Sequence, residues 1–154
     1  MTVKEIMECD FLTVQVSMDL ETLAKTFIES KKDYAIVVDD AGNLVGVVTE
    51  TDLIFQEKNL HIPTVFTFFD SMIFLESMTK FNEEVKKISA TQVGEIMTKD
   101  VVTLDENTTI KEAATLMLEK DIHHLPVLQN KKPVGVVTKE GLLKAFLLER
   151  QSKA

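Results

Sequence analysis

The sequence predicts an α+β fold of two tandem repeats, each a small sheet with two helices. Shifting the chain by 90 residues aligns Glu-Ile-Met at residues 5–7 with Glu-Ile-Met at residues 95–97. The string Val-Gly-Val-Val-Thr at residues 45–49 returns at residues 134–138. A unit of about 55 residues has a marginal core by itself. The two repeats are therefore expected to pack together about a pseudo-twofold axis, with an inserted connecting helix between them.

Each repeat is predicted to run from a short extended lead-in into a helix. Both helices carry apolar residues at the i, i+3, i+4, i+7, i+8 spacing of one buried face. These residues are Leu20, Leu23, Ala24, Phe27 and Ile28 in the first copy, and Ile110, Ala113, Ala114, Met117 and Leu118 in the second. Ser17, and Asn107 with Thr108, precede the helices and are expected to cap them.

Two strands joined by a tight turn, and then a closing helix, complete each repeat. The first strands are predicted at residues 35–38 and 125–128. Pro126 favours an edge position or a strand start, because proline cannot donate to the ladder. The closing helices are expected at residues 52–58 and 140–148. The first repeat then covers residues 1–56, the connecting segment 57–92 and the second repeat 93–154.

The connecting segment matches neither repeat, and from Phe66 onward its apolar residues recur at helical spacing. They are Phe66, Phe69, Ile73, Phe74, Met78, Phe81, Val85 and Ile88. One interpretation is that this helix packs on its own module. The other is that its face, rich in phenylalanine and methionine, joins two chains, since these residue types are favoured in interface cores.

Composition limits the kinds of partner that the protein has. The formal net charge of -8, with no local basic patch, argues against nucleic acid and anionic membranes. The longest apolar stretch is interrupted by polar residues, and no signal-peptide pattern is present. A single cysteine, Cys9, excludes an internal disulfide framework and indicates a reducing cytoplasm. With three histidines in the chain, a metal site is not expected.

Residues 45–52 end in Thr49 and, three residues later, Asp52. A buried strand that runs into a helix start presents unpaired backbone N–H groups and a partial positive charge, where phosphates and hydroxyl-rich ligands can bind. The second interpretation is that Thr49 only caps the helix that follows it. The recurrence of the string in the second repeat favours a functional role.

In these motifs the chain resembles the CBS-domain pair, also called the Bateman module. The resemblance covers residues 3 to about 55 and 93 to about 146. It rests on the Glu-Ile-Met lead-in, the Leu-Pro-Val strand and the Gly-x-x-Thr-x-x-Asp ending at Asp52. In this family two repeats form one disc-like module with two symmetry-related clefts. Many members bind AMP, ADP, ATP or S-adenosylmethionine there and regulate a fused or associated partner.

The resemblance implies a first cleft in which Thr49 and Asp52 face the second repeat. Asp52 is expected to accept hydrogen bonds from both ribose hydroxyls, and Thr49 to donate to a phosphate or ribose oxygen. The opposite wall is expected to hold the adenine between apolar side chains and backbone groups. Its members are Thr98, Val101, Val102, Ile122, His123 and His124.

His123 and His124 stand where AMP-sensing members of the family, such as the γ subunit of AMP-activated protein kinase, look similar, with basic residues before Leu-Pro-Val. At least one of the two imidazoles is expected to contact phosphate, since imidazole can charge in response to it. The alternative is a surface turn and a capping donor.

The second cleft departs from the pattern of the first. Thr138 is kept, but Gly141 replaces the aspartate, so the ribose clamp is missing. The facing residues are Glu8, Asp33 and Tyr34, and a carboxylate at Asp33 would repel phosphate. One working adenosyl site and one degenerate site per chain are therefore expected.

The resemblance implies a regulatory sensor of an adenine nucleotide that acts on a separate, unidentified protein and is itself a homodimer. An enzyme is not expected, because the predicted site offers no nucleophile beside a positioned base. Two alternatives stay open. One is a scaffold for dimerisation and interaction that has lost ligand binding, and the other is a sensor of S-adenosylmethionine.

Overall fold

The computed structural model describes residues 1–58 and 91–152, so the predicted connecting helix lies outside the described residues. The first repeat has a 3₁₀ turn at Val3–Glu5, followed by β1 (Thr13–Gln15), α1 (Leu20–Ser30), β2 (Tyr34–Val38), β3 (Leu44–Thr49) and α2 (Glu50–Lys58). The second has α3 (Val93–Ile96), β4 (Leu104–Asp105), α4 (Ile110–Lys120), β5 (His124–Gln129), β6 (Lys132–Thr138) and α5 (Lys139–Ser152).

Each repeat forms its own three-stranded sheet, with the strand orders β1-β2-β3 and β4-β5-β6. The first two strands of each sheet are parallel, because a helix connects them, and the last two form an antiparallel hairpin. Two small sheets with helices, in the same order twice, confirm the predicted α+β fold.

Pro126 lies in the middle strand of its sheet, so the expected edge position is wrong. The equivalent residue of the first repeat, Ile36, donates its N–H to the carbonyl oxygen of Leu12 at 2.8 Å. Proline has no such donor. The parallel ladder of the second repeat therefore begins one residue later, where Leu104 pairs with Val127.

The helix caps lie closer to the helices than the sequence predicted. Asp19 caps α1, because its Oδ1 accepts the N–H of Thr22 at 2.8 Å. Thr109 caps α4 in a capping box with Glu112. Ser17, Asn107 and Thr108 are not the caps, since an N-cap stands directly before the first helical residue, and that residue is Leu20 or Ile110.

The first helix of each repeat buries a narrower stripe than predicted. Leu20, Leu23 and Phe27 are buried, whereas Ile28 is 75% exposed. In the second repeat the equivalent Leu118 is 81% exposed. The position at i+8 is therefore outside the buried stripe, and in the second repeat Leu118 lies beside the closing helix α5.

The two repeats exchange their lead-ins, and this exchange positions the clefts. Val3 is fully buried in the core of the second repeat, and Val93 in the core of the first. A third cluster, shared by both repeats, contains Tyr34, Ile36 and Val136. The lead-in of each repeat thus packs against the other repeat and completes its sheet.

Candidate functional site

Thr49 and Asp52 bind each other at the junction of β3 and α2. The N–H of Thr49 donates to Asp52 Oδ2 at 2.9 Å, and the N–H of Asp52 donates to Thr49 Oγ1 at 3.3 Å. This is the reciprocal arrangement of a capping box. Among the described residues, Asp52 Oδ1 has no hydrogen-bond partner. The pair therefore caps the helix and still leaves one carboxylate oxygen for a ligand.

The second repeat reaches this junction through its lead-in. Thr98 and Val47 exchange two backbone hydrogen bonds, of 2.8 and 3.0 Å, two residues before Thr49. The side chain of Thr98 is exposed, and Val101 packs on the cluster shared by the repeats. Thr98 thus lies beside β3, and Val101 lies against the cluster shared by the two repeats.

His124 contacts the first repeat directly. Its ring lies on that of Tyr34, with centroids 4.2 Å apart, and its Nε2 is 3.6 Å from Asp33 Oδ1. Tyr34 in turn pairs with Thr49 in the sheet. Burial lowers the pKa of His124 from its ordinary value, and the nearby Asp33 carboxylate opposes this only in part. The imidazole is therefore neutral at pH 7.

The other predicted wall residues lie on the second repeat's own side. Val102 and Ile122 are partly buried against that repeat's core. Ile122 and the exposed His123 line a groove of about 640 Å³ between α4 and α5. The groove is mainly apolar and includes Leu118, Leu143 and Phe146. His123 is thus exposed in the groove between α4 and α5, whereas His124 is engaged with Tyr34.

The second cleft repeats the geometry of the first without the carboxylate. Thr138 Oγ1 accepts the N–H of Gly141 at 3.0 Å. Glu8 and Val136 exchange two backbone hydrogen bonds of 2.8 and 2.9 Å, as Thr98 and Val47 do. A Cβ atom on Gly141 would lie 3.5 Å from the carbonyl oxygen of Ile6. The first lead-in therefore borders this cleft.

An ion pair of Lys32 with Glu8 stands beside the second cleft, and sequence reasoning missed Lys32. The hydrogen bond to Glu8 raises the pKa of Lys32. Tyr34 is buried, and burial together with the Glu8 and Asp33 carboxylates raises the pKa of its hydroxyl. Glu8 approaches this hydroxyl without reaching hydrogen-bond geometry. The available signal was the 90-residue shift, which places Lys32 opposite Ile122.

The chemistry available at the first cleft is that of binding. It offers Asp52 Oδ1, the Thr49 hydroxyl and the start of α2, where the N–H groups of Thr49, Glu50 and Asp52 already have partners within the protein. Within residues 1–58 and 91–152, no three or more His, Cys, Asp or Glu side chains are grouped to hold a metal ion. In the same parts of the chain, no helix has the length and apolar character needed to cross a membrane.

Comparisons of the sequence identify related proteins. The sequence model of the CBS domain matches residues 3–59 and 93–148. The uncharacterized protein MJ1426 of Methanocaldococcus jannaschii is 28% identical over 155 residues, which span 96% of this chain and 92% of that protein. The chloroplastic CBS domain-containing protein CBSX2 of Arabidopsis thaliana is 29% identical over 153 residues, which span 90% of this chain and 62% of CBSX2.

Solved structures share the fold. CBSX2 in complex with AMP matches with a TM-score of 0.74 at 24% identity, covering 97% of this chain and 98% of that chain. The CBS domain pair of protein MJ0100, in complex with 5-methylthioadenosine and S-adenosyl-L-methionine, matches with a TM-score of 0.71 at 22% identity, covering 95% and 99%. These matches confirm the two-repeat architecture.

Proposed function

The chain belongs to the CBS domain family, and on that premise we propose that it is a regulatory module. It binds an adenine nucleotide, AMP, ADP or ATP, in its first cleft and signals to a separate, unidentified protein without catalysing a reaction. The observation that carries this proposal is the Thr49–Asp52 pair, which holds a carboxylate at a helix start with Oδ1 unengaged among the described residues.

The solved relatives support the choice of an adenosyl ligand. AMP, 5-methylthioadenosine and S-adenosylmethionine, which CBSX2 and MJ0100 hold, share an adenosine with a ribose cis-diol. Asp52 would accept hydrogen bonds from this diol, and Thr98 and Val101 would border the adenine. Val102 and Ile122 stand behind these residues on the second repeat.

The phosphate would be met by the start of α2 and by His123, whose exposed side chain must turn from the groove between α4 and α5 toward the first cleft. His123 is exposed, whereas His124 is stacked on Tyr34 and burial lowers its pKa. The N–H groups at the start of α2 add a partial positive charge. Because this supply of charge is modest, S-adenosylmethionine, which needs no phosphate site, is the alternative ligand.

A second candidate function is that of a scaffold without a ligand, in which a second copy of the chain docks. Exposed apolar side chains on the helices favour it: Ile28, Ile54 and Phe55 in the first repeat, and Leu118, Leu143 and Leu147 in the second. Contiguous exposed apolar surface of this kind marks interaction sites. In the sensor as well, we propose a homodimer and a cytoplasmic location, the latter from the single exposed cysteine, Cys9.

Calorimetric titration with AMP, ADP, ATP and S-adenosylmethionine tests the sensor. We expect Asp52→Ala to weaken binding by about 1–3 kcal/mol, a factor of about 5 to 150, because it removes hydrogen bonds to a charged group. It should also cost about 1 kcal/mol of stability through the lost cap.

Asp19→Ala is the matched control for that stability cost. Asp19 is the N-cap of α1 and accepts the N–H of Thr22, whereas Asp52 accepts the N–H of Thr49 from the first turn of α2, so each carboxylate satisfies one backbone N–H at a helix start. We expect it to lower the melting temperature similarly and to leave the affinity unchanged. Equal affinity of the Asp52→Ala and unaltered proteins would contradict the proposed clamp. Absence of any ligand-dependent melting shift would favour the scaffold.

A further inference from the structure

The lead-in of the first repeat brings a carboxylate to the second cleft. Glu8 is held against β6 by its two backbone hydrogen bonds to Val136, two residues before Thr138. At the equivalent place in the first cleft, the second lead-in carries Thr98. The two clefts thus share a backbone geometry and differ in the side chain that this lead-in presents.

The charges that surround the two clefts also differ. Glu8, Asp10 and Asp33 all act electrostatically on Lys32 and Tyr34. The 90-residue shift places Thr98, Asp100 and His123 at the equivalents of these three carboxylates, and Ile122 and His124 at those of Lys32 and Tyr34. The second cleft therefore has three carboxylates against one ammonium, whereas the first has two carboxylates, Asp52 and Asp100, and two imidazoles. Phosphate is repelled more strongly from the second cleft.

Lys32 is the ammonium group that a phosphate would meet at the second cleft, and Glu8 already pairs with it. Both side chains are about a third exposed or less, at 27% for Lys32 and 33% for Glu8. A ligand phosphate would have to displace the Glu8 carboxylate from Lys32, and the backbone of Glu8 is itself held by β6. The Glu8 carboxylate therefore takes the place beside Lys32 that a ligand phosphate would need.

We propose that Glu8, by holding Lys32, excludes phosphate-bearing adenosyl ligands from the second cleft, so that each chain takes one such ligand, in the first cleft. Glu8 is then a residue that determines specificity, together with the missing aspartate at Gly141. This inference rests on the proposed function. It adds that the Glu8 side chain closes the second cleft to these ligands and that replacing Glu8 can open it.

The test converts the second cleft into a copy of the first. Calorimetric titration with AMP is carried out on the unaltered chain and on the double variant Glu8→Thr/Gly141→Asp, which imports the residues found at Thr98 and Asp52. A Cβ at Gly141 would be 3.3 Å from Thr138 Oγ1, so the new aspartate needs only a small adjustment. We expect one AMP per unaltered chain and two per double variant.

Two further variants identify the new site. Adding Asp52→Ala to the double variant should weaken the first site and leave the second. The matched control is Glu5→Thr/Gly141→Asp, which removes another lead-in carboxylate that does not pair with Lys32, and it should bind one AMP. Circular dichroism verifies folding, and Glu8→Gln/Gly141→Asp replaces the double variant if the threonine version does not fold.

The outcomes separate this inference from the proposed function. A folded double variant that binds one AMP per chain would overturn the inference, as would two AMP on the unaltered chain. If the unaltered chain binds no adenosyl ligand, the proposed function fails. In that case, a double variant that gains one AMP still supports the role of Glu8, and a double variant that binds none overturns it.

Discussion

Replacing Gly46 with alanine should weaken the junction between the two repeats. A Cβ on Gly46 would lie 2.5 Å from Met97 Sδ and 2.9 Å from the carbonyl oxygen of Thr98. The methionine sulfur is near the end of a flexible side chain and can move. The Thr98 carbonyl is held by its hydrogen bond from Val47. The added methyl group must therefore push the lead-in away from β3.

The size of the effect follows from these contacts. Overpacking of this kind costs about 1–3 kcal/mol. The two hydrogen bonds between Thr98 and Val47 contribute about 0.5–1.5 kcal/mol each, so their loss adds about 1–3 kcal/mol. We expect Gly46→Ala to lower the free energy of unfolding by about 2–6 kcal/mol. That is a large share of the about 5–15 kcal/mol typical of natural proteins.

Urea unfolding followed by circular dichroism measures this difference, with Gly141→Ala as the matched control. The control should be neutral or stabilising, because its Cβ would be 3.3 Å from Thr138 Oγ1 and alanine is favoured over glycine in a helix by about 0.5–1 kcal/mol. Adding Met97→Ala should restore only part of the loss, since the Thr98 carbonyl remains. A Gly46→Ala protein as stable as the unaltered chain would refute the reasoning.

Two more predictions concern pH and association. Burial lowers the pKa of His124 in the folded protein. As the pH falls below about 6.5, the unfolded chain therefore protonates this imidazole before the folded protein does, and the melting temperature should fall. Between pH 7.5 and 5.5, His124→Phe should reduce the dependence of the melting temperature on pH, and the exposed control His123→Phe should leave it unchanged. Equal pH dependence of the two variants would contradict this prediction. Leu143→Glu, at a side chain that is 72% exposed, should convert the proposed dimer to a monomer in light scattering and leave the fold intact. The neighbouring Lys144→Ala should stay dimeric, and a monomeric unaltered chain would exclude the interface.

The proposed signalling by the first cleft rests on the fact that the two repeats both contribute to its walls. Thr49 belongs to the first repeat, and Thr98 reaches it from the second. A ligand held by both would stabilise one relative arrangement of the repeats, provided that arrangement binds it more tightly. The apolar faces of α1 with α2 and of α4 with α5 would carry the change to a partner.

Local features of the fold could be predicted because short-range physics determines them. β-branched residues with one glycine specify β3, and the polar residues that follow start α2. The cap between Thr49 and Asp52 requires only a spacing of three residues. The predicted edge position of Pro126 is wrong. A middle strand tolerates the missing backbone N–H because its parallel partner β4 begins one residue later, and the sequence does not show which strand is that partner.

Site residues could be predicted from the sequence only where the internal repeat or the family motif identifies them. Comparison of the two copies distinguished Asp52 from Gly141 and thereby the proposed clamp from the position that lacks the carboxylate. The roles of His123 and His124 were not separable in sequence, since the residues are adjacent and chemically identical. The structure separates them, because alternate side chains of a strand start face opposite ways, and only His124 meets Tyr34.

By itself the sequence determined the two repeats, their strands and helices, and the difference between the clefts at Asp52 and Gly141. These features follow from the spacing of residues along the chain and from comparison of the two copies, and neither requires knowledge of tertiary contacts. Only the tertiary structure decided that the lead-ins cross over and that Glu8 meets Lys32, 24 residues away. Contacts of this kind depend on how separate elements pack, and the energy of that packing comes from the whole shared core rather than from any local string.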